Sequence, residues 1–225
     1  MNRRRVSFVY RLGTITSLFL GIVLSFATTT NARYLLSYYT TQSNLLCLVV
    51  FVFLFIGDLI GYDYQKRKVY YFLKGTITIA ILVTAIVYVV ALLPNDLPMY
   101  TVSSREAERW GKIMGNLLVH VISPLLVTVD YYFLDEKGNF KFFYPTTWLF
   151  FPVLYVCFVY SGKGKFYRIG GSKKFGYFFL DYEKIGIEGV IIWLTMIAIG
   201  IMVLGYTLLF IDRKFAKNKT KDNTS

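Results

Sequence analysis

Histidine and cysteine are scarce in this chain. Of its 225 residues one is a histidine, His120, and two are cysteines, Cys47 and Cys157. Both cysteines fall inside apolar runs, which excludes a zinc-type spacing and a disulfide framework of the secreted kind. We interpret them as small buried hydrophobic residues. Because imidazole is the side chain whose ordinary pKa lies near neutrality, conventional acid–base chemistry would depend on His120.

Acidic residues are also few, and the sequence lacks repeats. It has 13 acidic against 25 basic residues, a formal net charge of +12. No heptad, low-complexity block, duplication or inverted repeat typical of secondary transporters is present. The lysines and arginines lie in tails and loops between apolar runs, where anionic lipid headgroups would meet them, and in no nucleic-acid recognition motif. We therefore expect membrane lipids as partners and no nucleic acid.

Long apolar runs dominate what is present. The chain is 56% hydrophobic and 19% aromatic, with a mean hydropathy of +0.51. About 20 apolar residues cross the hydrocarbon layer as a helix. Six runs approach this length, at residues 14–30, 40–61, 75–93, 113–133, 142–160 and 189–211. They predict an all-α, polytopic membrane protein, a six-transmembrane-helix bundle over residues 1–212, followed by a charged, disordered tail over residues 213–225.

The topology follows from the charges between these runs. Run 14–30 is long for a signal peptide and five more runs follow it, which favours a retained first helix. Lysine and arginine are more numerous on the N-terminal side of the bundle, so we expect both termini in the cytoplasm of a cell-membrane protein. The basic segment 161–188 departs from this pattern, which suggests a surface cap, a re-entrant element or a number of spans that differs from six by one. Pro124 predicts a kink in the fourth helix.

His120 lies within a run, residues 113–129, that has no charged side chain. A buried imidazole there needs a hydrogen-bonding partner or loses about 1–3 kcal/mol of solvation. Asn116 and Ser123 share its helical face. The histidine is either a structural residue hydrogen-bonded between helices or a functional one.

The second and fourth runs begin at the same, outer face of the predicted bundle. Thr40 and Thr41 open the second run, and His120 lies about 10 Å along the fourth, at a similar depth. A hydroxyl beside a neutral imidazole suits acyl transfer, because the imidazole takes the proton of the nucleophile. Asp130 is about 15 Å farther along the helix, too far to orient the histidine.

Amide side chains complete this group of polar residues. Asn44 lies one turn below Thr40, Asn116 one turn above His120, and Gln42 lies nearby, so each is a candidate donor to an oxyanion. We expect neither a metal nor a cofactor at this site.

Other interpretations of these residues remain open. Threonine, serine and asparagine within membrane spans often only hydrogen-bond neighbouring helices, and residues 40–44 would also serve as a helix cap. If the protein is a non-enzymatic transporter, His120, Asp58 and Asp130 would be buried polar residues along a continuous path through the bundle. A scaffold protein would act through its basic tails.

Three motifs resemble those of the androgen-induced/androgen-dependent integral membrane protein family, most closely its bacterial branch. They are Tyr38-Tyr-Thr-Thr-Gln-Ser-Asn-Leu-Leu46, His120-Val-Ile-Ser-Pro-Leu-Leu-Val-Thr-Val-Asp130 and Tyr144-Pro-Thr-Thr-Trp148 with Pro152-Val-Leu-Tyr155. Their order fits along nearly the whole chain. The family's Tyr-Pro-Tyr-Pro-Phe-Leu-Asp loop is replaced here by Tyr177-Phe-Phe-Leu-Asp181, without prolines.

This resemblance implies a threonine hydrolase that cleaves fatty acid esters of hydroxy fatty acids. It implies Thr40 or Thr41 as the nucleophile and His120 as the base. Helical register leaves the choice between the threonines open, and Thr40 is favoured because it follows the aromatic pair as the family's threonine does. The implied substrate is a fatty-acyl ester in the outer leaflet.

Overall fold

The computed structural model describes residues 3–29, 35–94, 106–161 and 175–222. Over these ranges the chain is helical without a strand, which confirms the all-α fold. The helices are α1 Arg3–Ala27, α2 Tyr39–Ile60, α3 Lys68–Leu92, α4 Glu106–Leu134, α5 Tyr144–Tyr160 and α6 Tyr182–Asp222. All but α5 are long and apolar enough to cross a membrane. The protein is therefore a multi-pass membrane protein by the length and composition of its helices.

Helix α5 is the short member of the bundle. It consists of Tyr144–Thr147 and Phe150–Tyr160, with a turn between them. Together they extend about 25 Å at 1.5 Å per residue, less than the hydrocarbon thickness of about 30 Å. Its segment Phe150–Tyr160 is nonetheless uniformly apolar, as the sequence predicts.

Helix α1 begins earlier than its apolar run. It starts at Arg3 and continues through basic residues that the sequence places in a tail before the first apolar run. Arg11, one of those residues, is completely buried, which corrects its expected place at the surface. The reason is that carboxylates of α2 and α4 pair with it. Leu18 of the same helix is also completely buried, so α1 is an integral part of the bundle.

Helix α6 extends farther in both directions than its apolar run. Gly186 interrupts its first turn with φ 71°, ψ 163°, a backbone conformation that favours glycine. The helix then continues to Asp222, so residues 213–222 are helical where the sequence predicts disorder. Residues 206–222 contain neither glycine nor proline, and the lysines and arginine there are good helix formers. Residues 162–174 of the basic segment lie outside the described part of the chain.

Helices α1 to α4 pack as a ring, each against the next and α4 against α1, while α5 and α6 pack against the α3 side. The centre of the ring is filled by completely buried apolar residues from all four helices: Leu18, Cys47, Phe51, Ile77, Ile81 and Val127. A larger aromatic cluster fills the space between α3, α5 and α6. There Trp148 lies so close to Gly75 that a Cβ on this glycine would meet the indole at 2.1 Å. Glycine at 75 thus allows α5 to approach α3.

Two of the helices contain a π turn. In α3 it covers Tyr88–Leu92, and in α4 it covers Leu118–Ile122. The second turn directly precedes Pro124, where the sequence predicts a kink. Proline has no N–H to donate within the helix, and the wider i to i+5 bond from Ser123 N–H to Leu118 O accommodates this loss.

Candidate functional site

The first turn of α2 places Thr40. Tyr38 has an extended backbone (φ −82°, ψ 138°) and no side-chain cap hydrogen bond, and the helix begins at Tyr39. Thr40 is half-buried and contributes to the wall of a cavity, whereas Thr41 is buried and is not part of that wall. Consecutive helical residues point about 100° apart, which accounts for this separation.

The π turn of α4 places His120, which is 8% exposed. Its ring stacks on Tyr88, with 3.9 Å between the ring centroids and 19° between the planes. Tyr88 is the first residue of the π turn in α3. The two π turns therefore meet through these rings, and π turns inside α-helices often occur at functional sites.

The hydroxyl of Thr40 and the imidazole of His120 lie within hydrogen-bond distance. Thr40 Oγ1 is 3.3 Å from His120 Nε2, and His120 Nδ1 is 3.1 Å from the backbone carbonyl oxygen of Asn116. A carbonyl oxygen only accepts, so in the neutral ring Nδ1 carries the proton and Nε2 has the free lone pair. The imidazole thus presents a base to the threonine hydroxyl. The catalytic roles of both residues stay predictions.

The three candidate amide donors are arranged differently from one another. Asn44 Nδ2 donates to the backbone oxygens of Thr40 (2.9 Å) and Val119 (3.1 Å), so both its N–H bonds are engaged between α2 and α4. Asn116 reaches His120 through its backbone carbonyl. Gln42 Nε2 donates to Leu36 O, in the segment before α2. Asn44 therefore links α2 to α4 through hydrogen bonds.

Thr40 borders an apolar cavity of about 410 Å³. This volume is within the range of small-molecule pockets, about 300–1,000 Å³. The cavity lies between α2, α3, α5 and α6, and its lining includes Val83, Val87, Leu149, Pro152, Val153, Leu194 and Ala198. His120 lies behind Thr40 and outside this lining, so the threonine separates the imidazole from the cavity.

Cys157 departs from the sequence-based expectation. We interpret both cysteines as buried, and Cys47 is; Cys157, however, is exposed and lines the same cavity. The apolar run around Cys157 could not reveal this, since lipid-facing and cavity-facing positions of a membrane helix are equally apolar.

Tyr177 is a site residue that the sequence did not single out. Its hydroxyl lies 3.3 Å from Thr40 Oγ1, and it accepts the backbone N–H of Thr40 at 3.3 Å. Tyr177 belongs to the segment compared above with the family's loop, which was the available signal. Tyr88 carried no signal, because a tyrosine in an apolar run is ordinary.

Asp58 and Asp130 lie in a buried ionic cluster and not in the cavity lining. Asp130 pairs with Arg11 (2.9 Å) and Lys74, and Asp58 pairs with Arg11 (3.0 Å). As expected from its distance along α4, Asp130 does not orient His120. Both aspartates that the transporter interpretation would use are therefore already paired with cations inside the bundle. Among the described residues no group of histidine, cysteine, aspartate and glutamate could hold a metal ion.

The site is thus a threonine hydroxyl between an imidazole and a phenol, at the edge of an apolar cavity. No protein-family model, curated protein or solved structure matches the chain.

Proposed function

We propose that the protein hydrolyses a lipid ester, with Thr40 as the nucleophile and His120 as the general base. The observation that carries this proposal is the 3.3 Å contact between Thr40 Oγ1 and His120 Nε2, with Nδ1 directed at the Asn116 carbonyl. A hydroxyl is a weak nucleophile until a base removes its proton. This tautomer of histidine is the one that serves as that base.

The reaction has two halves. In the first, Thr40 Oγ1 attacks the ester carbonyl carbon while His120 Nε2 takes the hydroxyl proton, and the imidazolium then protonates the leaving alcohol. In the second, His120 takes a proton from water, and the hydroxide attacks the carbonyl carbon of the acyl-threonine. The bond from that carbon to Thr40 Oγ1 then breaks, the imidazolium returns the proton to Thr40 Oγ1, and the fatty acid is released. The Asn116 carbonyl accepts the Nδ1–H throughout and favours the imidazolium, in the place where a triad has a carboxylate.

The cavity accommodates the acyl chain. Moving such a chain from lipid into an apolar cavity gains little hydrophobic free energy, because lipid tails are as apolar as the cavity wall. Selection therefore depends on the shape of the cavity and on placing the ester carbonyl at Thr40. Many side chains of α6 that face outward are exposed and apolar, including Ile192, Ile199 and Val203. The surrounding lipid thus supplies the substrate from the side.

The sequence resemblance supports the same chemistry and the same two residues. If the protein lies in the cell membrane with both termini in the cytoplasm, as the sequence predicts, α2 and α4 begin at the outer face. Thr40 lies in the first turn of α2. The site then lies in the outer leaflet near the headgroups, where water for the second half of the reaction is available. A fatty-acyl ester of a hydroxy fatty acid is the substrate class that the resemblance implies.

Three substitutions test the proposal. The purified protein in detergent is assayed for release of fatty acid from long-chain esters, including esters of hydroxy fatty acids. Thr40→Ala and His120→Ala should each lower kcat at least about 100-fold, the lower range for loss of general-base catalysis. Thr41→Val, which changes a hydroxyl outside the cavity, should retain activity. Full activity of the His120→Ala protein would exclude the mechanism.

A fluorophosphonate probe gives a second measurement. It should label the wild-type protein at Thr40, as located by mass spectrometry, and should not label the Thr40→Ala protein. Labelling of Thr41 instead would assign the nucleophile to the neighbouring residue.

A further inference from the structure

Tyr177 is held rigidly beside the threonine. It precedes the 3₁₀ turn Phe178–Leu180 and is 5% exposed. Its ring stacks on Phe179 at 5.1 Å and meets Tyr38 edge to face at 5.4 Å. These contacts fix the ring, so the position of its hydroxyl is set before any substrate is bound.

The hydroxyl of Tyr177 also lies at the N-terminus of α2. Thr40 is in the first turn of this helix, where backbone N–H groups have no intrahelical acceptor, and Tyr38 gives no side-chain cap. Tyr177 supplies an acceptor, taking the Thr40 N–H at 3.3 Å. A phenol that accepts such a bond at the positive end of a helix dipole becomes a stronger donor through its own O–H.

The direction of the hydrogen bonds around Thr40 follows from the histidine tautomer. Because His120 Nε2 accepts, Thr40 donates its hydroxyl proton to the imidazole. Thr40 Oγ1 is then an acceptor for the O–H of Tyr177, at 3.3 Å. The phenolic proton is thus directed at the oxygen that attacks the ester, from the cavity side, since Tyr177 lines the cavity and His120 does not.

We propose that Tyr177 is a catalytic residue whose hydroxyl donates a hydrogen bond to the oxyanion of the tetrahedral intermediate. The inference rests on the proposed hydrolase function. As the bond from Thr40 Oγ1 to the carbonyl carbon forms, the carbonyl π pair moves onto its oxygen and the threonine proton moves to His120 Nε2. The new oxyanion shares a carbon with Oγ1, so a small rotation of the phenol O–H transfers its bond from one oxygen to the other.

This assignment replaces two of the three amides predicted for the same role, those of Asn44 and Gln42. Both N–H bonds of Asn44 are engaged by backbone oxygens, and Gln42 is directed at Leu36. When the intermediate collapses, the electron pair returns to the carbonyl, the bond to the alcohol oxygen breaks, and His120 protonates the alcohol. Tyr177 keeps its own proton throughout.

The test compares Tyr177→Phe with Tyr160→Phe in the full-length protein. Tyr160 is a matched control, because its hydroxyl holds the same segment through Leu180 O at 2.6 Å and lies outside the cavity lining. We expect Y177F to lower kcat about 100- to 1,000-fold, as for loss of one oxyanion donor, with KM nearly unchanged. Y160F should keep kcat within about threefold of wild type, below the effect of even one lost catalytic donor.

Fluorophosphonate labelling in native membranes supplies a second readout that needs no purification. The phosphonyl oxygen of the adduct occupies the oxyanion position, so Y177F should slow the labelling of Thr40 to a similar extent as kcat. A structural role alone would change thermal unfolding and KM and would leave the labelling rate per folded protein unchanged.

The outcomes separate the two proposals. If wild type and Y177F cleave esters equally while Thr40→Ala is inactive, the hydrolase stands and the role of Tyr177 is refuted. A Y177F effect confined to KM refutes it as well. If the wild-type protein neither cleaves esters nor labels at Thr40, both proposals fall.

Discussion

At the scale of single residues, Asn44 determines how the threonine and the histidine meet. The residue is completely buried, and its amide joins the carbonyl of Thr40 on α2 to that of Val119 on α4. Since Val119 is the residue before His120, this amide fixes the separation of the two helices at the site. A side chain that contacts only the backbone of these two helices thereby controls the geometry of the proposed base.

Asn44→Ala should weaken both stability and catalysis. The buried carbonyl oxygen of Val119 loses the donor that α2 supplies, while that of Thr40 retains the Ser43 hydroxyl at 3.0 Å, so the free energy of unfolding should fall by about 1–3 kcal/mol. Thermal unfolding in detergent and fatty acid release measure the two effects. Asn139→Ala is the control, because the amide of Asn139 is exposed and makes only long bonds of 3.4 Å to Glu136 O and Lys137 O. Equal stability of the two variants would contradict this account.

Lys137 is a second residue whose surroundings have a measurable consequence. It lies in the connection between α4 and α5, with Nζ 3.7 Å from the centroid of the Tyr131 ring and bonded to the Tyr131 carbonyl. Burial lowers the pKa of Lys137 from 10.5 to about 8, against the opposing effect of Asp135 and Asp212. The folded protein therefore releases this proton at a lower pH than the unfolded chain.

The sign of the pH dependence follows from these pKa values. Between pH about 8 and 10.5 the unfolded chain binds a proton that the folded protein does not, so this residue makes stability rise with pH. Lys137→Met should remove that rise. Thermal unfolding of wild type and variant between pH 7 and 9.5 measures the difference in slope. Lys141→Met, an exposed lysine in the same connection, should keep the wild-type slope; parallel curves for wild type and Lys137→Met would refute the assignment.

At the scale of elements, a buried ionic cluster joins the four helices of the ring at the end away from Thr40. Arg11 of α1 pairs with Asp58 of α2 and Asp130 of α4, and Lys74 of α3 pairs with Asp130. Asp135, which directly follows α4, lies 3.5 Å from Arg11 and 3.7 Å from Lys74. Each helix of the ring therefore contributes a charge that is compensated by another helix.

Removing one partner from this cluster should be costly. Asp130→Asn leaves two buried cations short of a carboxylate, and breaking a buried pair costs about 3–5 kcal/mol. Asp63→Asn is the matched control, since Asp63 and Lys66 form an exposed pair at 3.0 Å that should contribute less than about 1 kcal/mol. Unfolding in detergent by heat or denaturant compares the two. Similar midpoints for both variants would show that the cluster does not stabilise the ring.

The sequence predicts the elements better than the contacts between them. Apolar runs located all six helices, because a membrane span must be long and apolar. Arg11 and Lys74 lie at the ends of such runs, where a cation normally marks the interface, and only carboxylates on distant helices keep them buried. The sequence places Asn116 on the helical face of His120 and suggests its amide as the partner, whereas the contact is made by the backbone carbonyl of Asn116.

The candidate site was predictable in part for the same reason. Depth along two helices indicated Thr40, Thr41 and His120, since both helices begin at one face. The depth of a residue in the membrane could not distinguish Thr40 from Thr41. If α2 began one residue later, Thr41 would face the cavity in place of Thr40. Tyr177, 137 residues after Thr40, approaches through the packing of a loop, which no local pattern reveals.

At the scale of the whole molecule, the path of α5 decides on which side of the membrane the segments after it lie. The described part of the chain has five long apolar helices and the shorter α5, so the side reached by Ser161 depends on whether α5 crosses. If all six helices cross and the N-terminus is cytoplasmic, Lys66 lies inside and Ser161 outside. Thr40 is then in the outer leaflet, as the proposed function requires.

Labelling of single cysteines tests this topology. In a Cys157→Ser background, a membrane-impermeant maleimide should label Ser161→Cys in intact cells, and Lys66→Cys only after the membrane is opened. Both positions are exposed, the Lys66 side chain at 80%. Labelling of both positions only after the membrane is opened would show that α5 does not cross. Labelling of Lys66→Cys alone in intact cells would show that the bundle has the opposite orientation. The cavity would then lie in the inner leaflet, and substrate and water would have to come from the cytoplasmic side.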